Sequence, residues 1–285
     1  MANPSRIDIW HKINIIYKDN DFLIIEKPSG LIVHPVRVSK KKLRSLSLLK
    51  KLDPLKGNEH ISYSNGVHPD RYQKENTLID WILTNYPEIR EVGEVGRQGL
   101  VHRLDKDVSG LMVVARNKAA YQCLVGQFKN HKVKKEYLAL VFGTIFPFKG
   151  VINFSIARNK KGKLVAFDSR NTPVSGKVKD IKPAITEYKI INKFQDFALF
   201  RLKLLTGRTH QIRLHLKAMG CPIVGDKKYS IKQFNNLTIK QEIDRIFLHA
   251  CYLGFYDLQN KWREFESQLP KELQDFLEIL KDGKL

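Results

Sequence analysis

The sequence predicts an α+β fold. Segments with the two-residue alternation of strands and segments with the four-residue spacing of helices follow one another without the regular βαβ order of a doubly wound sheet. No internal repeat, low-complexity tract or long linker divides the chain, so residues 1–285 read as one domain, with 42% hydrophobic residues to fill its core. The third observation is a knot of charge set between apolar segments at 99–110, Gly-Leu-Val-His-Arg-Leu-Asp-Lys-Asp-Val-Ser-Gly.

The first element is a hairpin: Ile15–Tyr17 and Phe22–Ile25 flank Lys18-Asp19-Asn20-Asp21, which has turn chemistry. Pro28 and Gly30 break the pattern in the following Lys27-Pro28-Ser29-Gly30-Leu31-Ile32-Val33-His34-Pro35. Asn76 or Thr77 caps a helix with Leu78, Trp81 and Ile82 on one face. Leu100 and Val101 read as the end of a strand, and Leu111–Ala115 as the start of another. Asn117 caps a helix bearing Ala120, Leu124 and Phe128, and Lys135–Phe142 is a strand ended by Gly143. Thr186–Ile191 and Phe197–Leu205 make a second hairpin. Thr209 opens a helix that closes at Gly220, with Ile212, Leu216 and Met219 inward. Phe247–Phe255 is a strand, and Pro270 starts an amphipathic helix whose stripe is Leu273, Phe276, Leu277 and Leu280.

Composition narrows the function. No apolar run approaches the roughly 20 residues of a membrane span, and the first residues lack the basic-then-apolar layout of a signal peptide. Three widely spaced cysteines without a Cys-x-x-Cys fit a reducing cytoplasm and argue against disulfides or zinc. His210 and His215 are five apart, not the four of a helical zinc pair, so no metal is expected. Fifty Lys+Arg against 29 Asp+Glu leave a net charge of +21, which calls for a polyanionic partner such as nucleic acid. The excess is clustered. Residues 36–75 hold ten basic residues against four acids, and residues 158–182 eight against two, in segments expected to be loops. Within the first run, Leu43, Leu46, Leu49 and Leu52 allow a short basic helix; a poorly ordered insertion is the other reading.

Chemistry points to three places. Charged side chains squeezed between apolar strands are costly unless paired or used, so the 99–110 loop is an ion-pair knot or an active site. On residues alone, Asp105 and Asp107 are equal candidates for an ionised carboxylate, with Arg103 nearby to hold it charged. Around the helix from Thr209, Arg213 lies at the edge of the buried stripe, where it can reach a half-buried carboxylate, and Arg208 sits before the helix, where free N–H groups attract phosphate. The strand Lys134-Lys135-Glu136-Tyr137-Leu138-Ala139-Leu140 carries one phenol, Tyr137, which taken alone reads as a core residue.

In order, these pieces resemble the RluA-type pseudouridine synthases, over Ile15 to Leu258. Lys27–Pro35 is similar to the first motif of that family, His102-Arg103-Leu104-Asp105 with Ser109-Gly110 to the second, Lys135-Glu136-Tyr137 to its tyrosine strand, and Gly207-Arg208-Thr209-His210-Gln211-Ile212-Arg213 to the third. The resemblance implies a catalytic fold with a mixed, mostly antiparallel sheet flanked by helices and loops, and an isomerase that converts uridine in RNA to pseudouridine. It implies a catalytic set of Asp105, Tyr137 and Arg213, choosing Asp105 over Asp107. Arg103 falls where a side chain fills the gap left by a flipped nucleotide, and Lys27, His102 and Arg208 join it as expected RNA contacts. No cofactor or metal is needed, and the expected protein is a cytoplasmic monomer whose partner is ribosomal RNA of the large subunit or transfer RNA. A non-catalytic RNA-binding or ribosome-assembly protein of the same fold is the rival. Three departures stand out: Val108 replaces the usual Thr, the S4 RNA-binding domain of several relatives is expected to be missing, and residues 36–75 form a basic insertion.

Overall fold

The computed structural model describes residues 9–35, 76–143, 145, 147–168, 178–231 and 243–282. The basic insertion at 36–75 lies outside them. The first hairpin forms as its turn residues require: β1 (Asn14–Lys18) pairs antiparallel with β2 (Phe22–Lys27), and Asp19 Oδ1 accepts the N–H groups of Asp21 and Phe22 at 2.8 Å to close the turn. β2 then pairs with β3 (Ser109–Ala115), whose seven residues are all buried. Helix α1 (Leu78–Asn85) starts at a capping box in which Thr77 and Asp80 bond each other's backbone N–H groups. Helix α2 (Lys118–Lys129), capped by Asn117, presses Ala120 and Leu124 onto the sheet.

The sheet continues through β4 (Lys134–Phe142), β5 (Lys149–Asn153), β9 (Ile185–Lys193), β10 (Phe197–Leu204), β11 (Leu248–Tyr256) and β12 (Trp262–Glu266). Its nine strands run β1-β2-β3-β11-β4-β10-β9-β5, with β12 on β11. Every pairing is antiparallel except β3 with β11, so the mixed, mostly antiparallel expectation holds. Helix α3 (Gln211–Ala218) buries Ile212, Leu214 and Leu216, and helix α4 (Lys271–Lys281) seats Phe276 against Phe247 with rings 6.3 Å apart.

Three expectations are corrected. Leu100–Val101 is not a strand; Leu100 makes one isolated bridge to Val114. The reason is local: the Val113 N–H is taken by the His102 imidazole, whose Nε2 accepts it at 3.0 Å, so a side chain ends the ladder. The helix expected from Thr209 begins at Gln211, because His210 adopts a left-handed backbone (φ +56°). The basic run 158–182 is not simply loop. A second sheet, β7-β6-β8, is built from β6 (Ser155–Asn159), β7 (Leu164–Phe167) and β8 (Val178–Lys182), and packs Ile156 with Ala184, Leu214 and Tyr229. Its charged sequence hides a thin strip of apolar burial that charge counting does not reveal.

One glycine closes the charged loop. Gly110 sits at φ +120°, and a Cβ there would lie 2.3 Å from the Ala250 carbonyl oxygen. Only glycine lets β3 approach β11 where the loop ends. Gly110→Ala is expected to cost at least about 2 kcal/mol through clash and backbone strain, read as a lower urea unfolding midpoint with unchanged slope.

Candidate active site

The loop between Leu100 and β3, the start of β4, the end of β10 and the turn into α3 meet around a cavity of about 590 Å³, the size of a small-ligand pocket. Asp105, Lys135, Tyr137, Arg208, His210 and Arg213 line it. The structure thus brings the three segments singled out in the sequence to one place.

Arg213 is the central cation. Its Nε and Nη2 donate to Asp226 Oδ2 and Oδ1 at 2.7 and 2.8 Å, and its Nη1 donates to Asp105 Oδ2 at 3.2 Å. Burial opposes its charge, but the bond to Asp226 and the field of both carboxylates outweigh burial and raise its pKa. Asp226 is almost fully buried, which favours its neutral form, yet Arg213 and the N–H groups of Lys228 and Tyr229 bring its pKa below the ordinary value. The fork is therefore fixed on Asp226, and one arm remains for Asp105. Asp107, the competing carboxylate, is exposed and outside the cavity lining.

The other expected residues divide. Tyr137 faces the cavity from β4, and burial first, then the charge of Asp105, push its pKa up, so the phenol stays protonated. Arg103 is exposed at the cavity rim, and its Nη1 donates to His34 Nε2 at 3.2 Å. Arg208 is half-buried there, its Nε donating to the Pro183 carbonyl at 3.1 Å. Lys27 is not placed as expected, whereas His102 lines the cavity. Lys27 is fully buried, and its Nζ donates to the carbonyls of Pro28, Leu31 and Lys106 at 2.8, 2.9 and 3.0 Å. Burial and Arg245 lower its pKa to about 7, and the carbonyls take the N–H groups a phosphate would need. It ties the first motif to the charged loop. His102 stacks on Phe128 at 4.7 Å, and burial, reinforced by Lys135, lowers its pKa to about 3. A neutral ring occupied by Val113 is a wall of the cavity, not a cationic phosphate contact.

Sequence reasoning missed Asp226, His210, Tyr229 and Arg245. Asp226 lies six residues beyond Gly220, where the helix from Thr209 was expected to close. The available signal was Gly225, which is held at φ +73° with the Arg245 carbonyl 2.0 Å from where a Cβ would stand. Arg245 in turn donates to Ser109 Oγ, while Ser109 Oγ lies 2.9 Å from His249 Nδ1. That network anchors the far end of the loop from residues no local pattern connects. The described residues contain no group of three or more His, Cys, Asp and Glu suited to a metal, and no helix long and apolar enough to cross a membrane.

Comparison with known proteins gives this geometry a context. The family model for RNA pseudouridylate synthase matches residues 21–218. An uncharacterized RNA pseudouridine synthase of Bacillus subtilis is 33% identical over 99% of this chain and 75% of its own length. The ribosomal large subunit pseudouridine synthase D of Blochmanniella floridana is 32% identical over 94% of this chain and 73% of its own length. Among solved structures, human RNA pseudouridylate synthase domain containing 1 superposes with a TM-score of 0.63 at 23% identity, covering 99% of this chain and 98% of that chain, a likeness of fold.

The buried fork makes a clear acid-stability forecast. Because the folded pKa of Asp226 is depressed, its contribution is present above the ordinary value of 3.8 and is lost as pH falls through the lower folded value. Asp226→Asn is expected to cost about 3 kcal/mol at neutral pH by leaving Arg213 half-paired in the interior. Denaturant midpoints of variant and wild type should converge as pH drops below 3.8.

Proposed function

The chain belongs to the RNA pseudouridylate synthase family and isomerises uridine in RNA; we propose that Asp105 carries the reaction and that large-subunit ribosomal RNA is its substrate. The observation that supports Asp105 is its pairing with Arg213, a guanidinium already locked on Asp226. The names of relatives such as the large subunit pseudouridine synthase D support the substrate.

The target nucleotide leaves its stack to enter the cavity, at a cost of a few kcal/mol. Arg103, exposed on the rim and steadied by His34, fills the space it leaves. Asp105 acts at the sugar, on C1′ as nucleophile or as base. The N1–C1′ bond breaks, the uracil turns, and a C5–C1′ bond forms. C5 then gives up its proton and N1 gains one, so the product is an isomer of the substrate and no cofactor is consumed. Tyr137 offers the uracil a ring face. Its phenol, kept protonated by burial and by the charge of Asp105, is not suited to act as the base that removes the C5 proton.

Affinity comes from charge outside the cavity. The second sheet and its turn carry Arg158, Lys160, Lys161, Lys163, Lys179 and Lys182, and β8 leads through Lys182 into Pro183, whose carbonyl accepts from Arg208; this basic surface suits the phosphates of the RNA.

Tritium release from RNA labelled at uracil C5 tests the reaction. Asp105→Asn should lower release at least about 1,000-fold while RNA affinity persists. Release at wild-type rates from that variant would eliminate Asp105 as the reacting group. Ribosomal RNA of the large subunit should release tritium ahead of transfer RNA. Replacing Lys160, Lys161 and Lys163 together by Glu should flatten the dependence of log Kd on log salt by about 2, with kcat at saturation preserved.

A further inference from the structure

His210 is held in a backbone conformation that disfavours a β-carbon, with φ +56°. Such strain persists only where surrounding contacts over-determine it. Two contacts do so. Nδ1 lies 2.7 Å from the Tyr229 hydroxyl, with the rings edge-on at 5.4 Å. Nε2 faces Asp105 Oδ2 at 3.7 Å, longer than a hydrogen bond but within reach of a small rotation on substrate binding. Burial raises the pKa of Tyr229, so the phenol keeps its proton and is able to donate to Nδ1. Burial also lowers the pKa of His210, against the pull of Asp105. A neutral ring that accepts at Nδ1 carries its proton on Nε2, toward Asp105.

Arg213 reaches the same oxygen, Oδ2, at 3.2 Å. Among the described residues, no hydrogen bond ends on Asp105 Oδ1. We propose that His210 is a positioning residue: Tyr229 fixes its tautomer so that Nε2–H and the Arg213 guanidinium together hold Asp105 Oδ2 and turn Oδ1 toward the ribose of the bound uridine. The inference rests on Asp105 being the reacting carboxylate and adds a second donor and a defined reacting oxygen. It also gives a task to the imidazole that the spacing of His210 and His215 had excluded from zinc binding.

Asparagine tolerates the left-handed backbone, and its short amide does not reach Asp105, so His210→Asn removes the contact while sparing the turn. His210→Gln places a donor near the position of Nε2. Tyr229→Phe leaves the imidazole but releases its tautomer. With RNA in excess, His210→Asn should lose about 10- to 100-fold in kcat, as expected for a misplaced reacting group, with KM nearly unchanged. His210→Gln should recover part of the loss, Tyr229→Phe should fall between, and thermal midpoints should stay near wild type. In nitrogen NMR of histidine-labelled protein, the resonance that disappears in His210→Asn should report a neutral ring protonated at Nε2.

Wild-type kcat in His210→Asn overturns the proposal, as does a loss carried mainly by KM, no recovery in His210→Gln, or a ring protonated at Nδ1. The spectrum needs no turnover, so the two readings separate. A wild-type protein that forms no pseudouridine defeats the assignment of Asp105, whereas the wrong tautomer defeats His210 alone.

Discussion

The site depends on one shared guanidinium. Arg213 binds Asp226 through two parallel hydrogen bonds and gives its remaining arm to Asp105, which lies 108 residues away in sequence. A buried arginine held by only one carboxylate edge would swing between partners. Here Asp226 takes the fork, and the N–H groups of Lys228 and Tyr229 in turn hold Asp226 Oδ1. The cation therefore reaches Asp105 from a fixed direction, and its orientation owes little to the exposed end of the loop.

The loop itself is pinned from behind by buried polar groups. The Lys27 ammonium bridges the first motif to the Lys106 carbonyl, and at the surface Ser29 Oγ donates to the Asp107 carbonyl at 2.6 Å. At the other end, Ser109 joins Arg245 and His249, and His249 continues to Ser267 at 3.0 Å. Burial and then Arg245 lower the pKa of His249 to about 4, so this chain operates with a neutral ring. The buried hydrogen bonds of this frame disfavour other arrangements of the loop, because breaking them leaves polar atoms unsatisfied in the interior. Asp105 stands on the only part of the loop that both faces the cavity and receives the arm of Arg213.

Charge divides between these two scales. Inside, a few cations are neutralised or paired: Lys27 by carbonyls, Arg213 by carboxylates, His102 by loss of its proton. Outside, among the described residues, the small second sheet packed against Leu214 and Tyr229 carries several of the chain's exposed cations. Tyr229 joins the two, packing with Ile156 of the second sheet and meeting His210 at the cavity.

The sequence by itself determined the mixed fold, both hairpins, the capped helices and the loop that carries Asp105, because alternation, capping and turn chemistry act over a few residues. It also determined the polyanionic partner, since net charge is a sum that needs no coordinates. Only the tertiary structure decided which carboxylate holds Arg213, that Lys27 and His102 face inward, and that the basic run after Arg158 includes a sheet. It alone joined His210 to Tyr229 and Asp105. Those outcomes depend on pairings across the fold, on Gly110 passing the Ala250 carbonyl and Gly225 passing that of Arg245, and such close approaches leave no periodic trace in a linear chain.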